Sequence, residues 1–149
     1  MRAYPIRAAL LALAVLVAAW LVLGMRAVRL EDQADAVIDR ARAGSVPQAD
    51  VERAENDLRT AADLSPDQGP VIMQGQLYQA TGRAQEAVSL ADLVAREEPD
   101  NLQAWVLAWA AENDPQAKKR AHAQMLRLNP YIDVELGLRN CIECQLKTR

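Results

Sequence analysis

Hydrophobic positions along this chain fall into two regimes. The first is continuous: residues 8–25, AALLALAVLVAAWLVLGM, form an apolar run of 18 residues without a charge. Coiled as an α-helix, such a run is about 27 Å long, close to the roughly 30 Å hydrocarbon core of a bilayer. The second regime is periodic. Val28, Leu30, Ala34, Val37, Ile38 and Ala41 recur at helical spacing, so the apolar helix is predicted to run on into an amphipathic one ending near Arg42.

AGSVP, residues 43–47, interrupts the pattern. Beyond it, Asp50 is the predicted N-cap of a helix that places Val51, Ala54, Leu58, Ala61 and Ala62 on one face and stops near SPDQGP, residues 65–70. Further helices are predicted over residues 71–80, 84–97, 102–112 and 116–128, with PDN at 99–101 and NDP at 113–115 as turns. YIDVELGLRN fits a strand through alternation of Ile132, Val134, Leu136 and Leu138, and a helix through the pairs Ile132/Leu136 and Val134/Leu138. A lone strand has no partner in a helical chain, and an isolated edge is a liability; the segment is read as a capping helix. The expected class is all-α, in keeping with a composition that lacks Phe and favours good helix formers.

The punctuation is itself periodic. Pro66, Pro99 and Pro130 lie 33 and then 31 residues apart, each closing one helix and opening the next. Each interval holds two helices so short that packing, rather than intrinsic propensity, must stabilise them. Within residues 69–99, Gly75 is followed three residues later by Tyr78, then by Gly82, by Ala87 and Ala91, and by Pro99. This pattern resembles the 34-residue tetratricopeptide repeat (TPR): a small residue at the helix crossing, an aromatic, a turn, a second helix with small residues four apart, and a closing proline. The resemblance extends over about residues 50–130. Ala54, Leu58, Ala61 and Pro66 repeat the second-helix pattern. Trp105 supplies the large residue of the last unit, although Trp109 stands where a small one belongs.

The resemblance implies a short α-solenoid of antiparallel helix pairs over residues 28–130. A leader and transmembrane anchor would precede it over residues 1–27, and a capping segment would follow over residues 131–149. Gly75, Tyr78, Gly82, Ala87, Ala91, Pro99 and Trp105 would be repeat-packing positions. The first helices of the pairs would line a binding groove through Ile72, Gln76, Gln79, Gln103, Val106 and Ala110. These positions lack the lysine, arginine and asparagine with which one branch of the family grips a terminal carboxylate. A neutral, partly apolar groove suits a partner helix or strand.

Flanking residues bear on the apolar run. Arg2 and Arg7 precede it, Arg26 and Arg29 follow, and Tyr4 and Trp20 lie towards its ends, where aromatic rings suit the headgroup region. A cleaved secretory signal is the competing reading, but the run exceeds the usual apolar core of a signal and helical sequence continues past it. An uncleaved anchor through residues 8–25 is the expectation. The basic leader favours a cytoplasmic N-terminus, with the remainder outside the cytoplasm.

Charge and candidate chemistry narrow the function classes. Beyond residue 25 there are 15 basic and 20 acidic side chains, so no basic face for nucleic acid is expected. Lys118-Lys119-Arg120 reads as a solvated helix face. His122 is the sole histidine, has no serine or cysteine at a telling offset, and reads as a solvated helix position. Cys141 and Cys144 form a Cys-x-x-Cys that could reach one metal or form a local disulfide. His122 alone cannot complete a zinc site with them, and the βαβ setting of a redox motif is missing. No cofactor, catalytic residue or small-molecule substrate is expected. The leading expectation is a single-pass TPR scaffold binding a protein or peptide partner at the membrane. The alternatives are a redox or metal-binding accessory using the two cysteines, and a structural subunit of a larger membrane complex.

Overall fold

The structure is a computed structural model that describes residues 4–136. The described residues are helical throughout, with no strand among them. They comprise α1 (Tyr4–Arg42), α2 (Gln48–Leu64), α3 (Gly69–Ala80), α4 (Ala84–Glu97), α5 (Leu102–Ala111), α6 (Pro115–Leu128) and the single turn α7 (Ile132–Glu135). The chain divides into two compact units, residues 1–77 and 78–149.

In the first unit, α1 is one uninterrupted helix of 39 residues. Its character changes at Ala27. From Ala9 to Arg26 the side chains are exposed; from Ala27 on, Ala27, Ala34, Val37, Ile38 and Ala41 are buried, three, four or seven residues apart, so they share one face. That face packs against Val51, Ala54 and Leu58 of α2, with Leu77 of α3 completing the cluster and Val46 and Met73 at its margin. Ile38, Leu58 and Leu77 are 0% exposed. Burying each such side chain contributes about 1.5–3 kcal/mol. The turn between α1 and α2 uses Gly44 at φ 76°, a conformation glycine enters without the Cβ clash of other residues.

The start of α2 departs from expectation. Asp50 does not cap α2: the helix begins two residues earlier, after Pro47, and has no side-chain cap. Asp50 instead accepts from Arg40 at 3.0 Å and from Arg53 at 3.4 Å. Proline already holds the extended conformation of the capping position, with φ −65° and ψ 143°, so the helix starts as soon as the chain leaves it.

In the second unit, α5 packs against both α4 and α6. Alanines dominate the buried faces: Ala87, Ala91 and Ala95 of α4, Ala104, Ala108 and Ala111 of α5, and Ala121 of α6, filled out by Val94, Leu107 and Met125. Small side chains let helix axes approach closely. The turns are specified by caps. Asn101 accepts the Ala104 N–H at 3.2 Å. Asp114 accepts from the N–H groups of Gln116 and Ala117, with Pro115 in the first turn. Within the described residues the capping helix expected over the tail is the single turn α7, which buries Ile132; Leu136, just after it, is exposed. Leu138 lies outside the described residues.

Candidate functional site

Three surfaces carry the groups through which this chain could act. The first is the apolar half of α1. Leu10, Leu11, Leu13, Val15, Leu16, Trp20, Val22 and Met25 are each more than half exposed, and they point to all sides of the helix. The cost of leaving so much apolar surface in water is what drives a helix into lipid. α1 is long and apolar enough to cross a membrane, and a secretory signal near the N-terminus meets the same criterion. Along this helix runs a shallow groove of about 490 Å³, lined by Trp20, Leu21, Gly24, Met25, Val28 and Arg29. A Cβ at Gly24 would meet nothing within 4 Å.

Charge appears where the groove ends. Arg26 and Arg29 are exposed, Glu31 is half-buried, and Asp32 is exposed. Partial burial pushes the Glu31 carboxyl above its ordinary range, and the negative charges of Asp67 and Asp32 push it the same way.

The second surface is the outer side of α4. Tyr78, Glu86, Ser89, Leu90, Asp92, Leu93 and Arg96 border a groove of about 530 Å³. Leu93 is exposed, and the Arg83 guanidinium lies 3.9 Å from the centre of the buried Tyr78 ring. Arg83 also pairs with Glu86; this hydrogen bond, helped by the charge of the guanidinium, holds the Glu86 carboxyl below its ordinary range against the opposing effect of desolvation. No motif in the sequence marks this groove. Its legible sign was Leu93, an apolar residue outside the face set by Ala87, Ala91 and Val94.

The third surface is the side of α5 that carries Gln103, Val106 and Ala110. Gln103 is exposed, while Val106 and Ala110 are half-buried; at i, i+3 and i+7 the three share a face. Trp109 is half-buried beside them, with the Lys118 ammonium 5.0 Å from its ring centre. The other groove positions are placed differently. Ile72 is 2% exposed. Gln76 is half-buried and accepts from Arg42 at 3.4 Å. Ile72 and Gln76 belong to the first unit and Gln79 to the second.

The repeat-packing positions are mostly interior. Gly75, Tyr78, Ala87 and Ala91 are buried, Trp105 is half-buried, and Pro99 is exposed in its turn. Gly82 adopts φ 81° between α3 and α4, where the Arg83 N–H donates to the Tyr78 carbonyl at 2.8 Å.

His122 is not a solvated helix position. It is half-buried, its Nε2 is 2.7 Å from Asp133 Oδ1, and the pair joins α6 to α7. The local sequence could not show this, because the carboxylate arrives from beyond the next turn. Among the described residues, no three His, Cys, Asp or Glu side chains are grouped to hold a metal ion. Cys141 and Cys144 lie outside the described residues. Comparison with protein-family models, curated proteins and solved structures finds no match to this chain.

Proposed function

We propose that the chain is a single-pass membrane scaffold of TPR-like helical repeats that holds a protein partner at the bilayer. The observation that carries this reading is the continuity of α1. Its exposed apolar half passes without a break into the face that builds the core of the first unit. A helix of this kind ties a folded unit directly to lipid and raises the local concentration of whatever that protein binds.

The reading as a repeat scaffold rests on the helix–turn–helix order, on the left-handed Gly82, and on the alanine faces of α4 and α5. Gln103, Val106 and Ala110, which share one side of α5, form the face offered to the partner; its neutral, partly apolar character suits a helix or strand. In this proposal the mechanism is binding rather than covalent chemistry, and the folded units lie outside the cytoplasm.

The test is made on the full chain in native membranes. It should stay in the membrane fraction after an alkaline wash and retain its first residues on N-terminal sequencing. A photoreactive side chain at position 103 should capture one discrete protein, and Val106→Asp should weaken that capture. A mature chain beginning beyond residue 25 would replace the anchor with a cleaved signal. Undiminished capture by folded Val106→Asp protein would remove α5 as the binding face.

A further inference from the structure

The groove on α1 and the charges beyond it follow one another in a definite order along the helix. First comes the apolar notch over Gly24, walled by Trp20, Leu21, Met25 and Val28. The notch exists because glycine leaves the space open: a Cβ there would have no neighbouring side chain within 4 Å. At its outer end stands Arg29, part of the groove lining, with Arg26 one turn before it.

Arg26 and Arg29 are exposed and pair with no described carboxylate, whereas Arg40, Arg53 and Arg59 on the same unit each reach one. Three residues beyond Arg29, roughly 4.5 Å along the axis, stands Asp32, with Glu31 beside it and Asp67 near enough to raise the Glu31 pKa.

Apolar wall, then cation, then anions is the order of complementary groups in a zwitterionic phospholipid: acyl chain, phosphate, ammonium. We propose that residues 20–32 of α1 bind an aminophospholipid, with an acyl chain in the notch over Gly24, its phosphate on Arg29, and its ammonium at Asp32 and Glu31. The assignment rests on α1 lying in a bilayer, as proposed above. Charge selects between headgroups. Arg26 and Arg29 attract any phosphate. The carboxylates of Glu31, Asp32 and Asp67, with Asp35 a turn further along α1, outnumber them. They repel a headgroup of net negative charge and attract one ending in an ammonium. An Arg–phosphate contact is a charge-assisted hydrogen bond of the stronger kind. At the membrane surface it also lets the long arginine side chain keep its charge in the polar layer.

The experiment uses the full chain in detergent, mixed with equal amounts of phosphatidylethanolamine and phosphatidylglycerol of identical acyl chains, with retained lipid counted by native mass spectrometry. Phosphatidylethanolamine should be retained in preference. Arg29→Gln should lower its retention roughly three- to tenfold, the scale of one net hydrogen-bonded contact. Gly24→Leu, which fills the notch, should lower retention of both lipids. Asp32→Asn should erase the preference while leaving phosphatidylglycerol retained. Helix content by circular dichroism shows that each variant is folded.

Equal or greater retention of phosphatidylglycerol by the unaltered chain would overturn the proposal, as would indifference to both Arg29→Gln and Gly24→Leu. Vesicle flotation separates the two levels of failure. A chain that does not float with vesicles loses its anchor and the lipid site together. A chain that floats but shows no preference loses the lipid site alone.

Discussion

Trp105 donates its indole Nε1–H to the carbonyl oxygen of Pro99 at 2.9 Å. The ring of α5 thereby closes the turn that leads into its own helix. Arg127 of α6 reaches the same carbonyl at 3.5 Å and the carboxylate of Asp100 at 2.8 Å, so one turn is tied to both following helices. Trp105→Phe keeps most of the ring and removes the donor; it should cost about 0.5–1.5 kcal/mol. Arg127→Gln should cost less than about 1 kcal/mol, because the pair is exposed. Thermal unfolding of the full chain in one detergent checks both and should rank them in that order.

Gly82 holds φ 81° with nothing within 4 Å of the place a Cβ would occupy. Space is not what excludes other residues there; the left-handed backbone is. Gly82→Ala should therefore destabilise the protein by roughly 1–2 kcal/mol through backbone strain. Gly82→Asn should lose less, since asparagine tolerates this region better. Denaturant midpoints of the two variants test the difference, and equal midpoints would contradict it.

Leu58 is 0% exposed at the centre of the first core, between α1 and α2. Leu58→Ala should cost about 2–5 kcal/mol, the sum of lost burial and the cavity left behind. Hydrogen exchange should quicken in α2 and in the part of α1 beyond Ala27. The apolar part of α1 should exchange as before when the chain is held in a bilayer, because its backbone is protected by lipid and not by this core.

Glu31 lies beyond the apolar run, and its carboxyl is raised by partial burial and by Asp67 and Asp32. The folded state therefore binds this proton more tightly than the unfolded state does. Its stabilising effect is complete below the ordinary glutamate pKa and is lost as pH rises through the elevated folded value. Glu31→Gln should make the protein more stable at neutral pH and should flatten the decline of stability that begins just above the ordinary carboxyl range. Thermal midpoints between pH 4 and pH 7 measure this. An unchanged slope in the variant would assign the pH dependence to other groups.

Helix limits were legible because they are written in local chemistry. α4 occupies the residues expected from Gly82 before it and Pro99 after it, and α5 and α6 differ from expectation by one residue at a single end. Asn101, Asp114 and Pro115 act within their own turn, so no distant residue is needed to read them. Asp50 misled because its side chain is drawn to Arg40, ten residues away on the preceding helix. His122 misled in the same manner through Asp133.

By itself the sequence determined the apolar run, the helical class of the described residues and the places where the chain turns. Each depends on hydrophobicity, proline, glycine and caps within a few neighbouring positions. Only the tertiary structure decided which side chains remain available to another molecule. Ile72 is lost to the core, and Gln76 is engaged by Arg42, 34 residues earlier. Gln103 stays open, and Gly24 leaves a notch that ends at Arg29. Exposure is set by whatever packs across from a residue, and in a chain of short helices that neighbour comes from another element altogether.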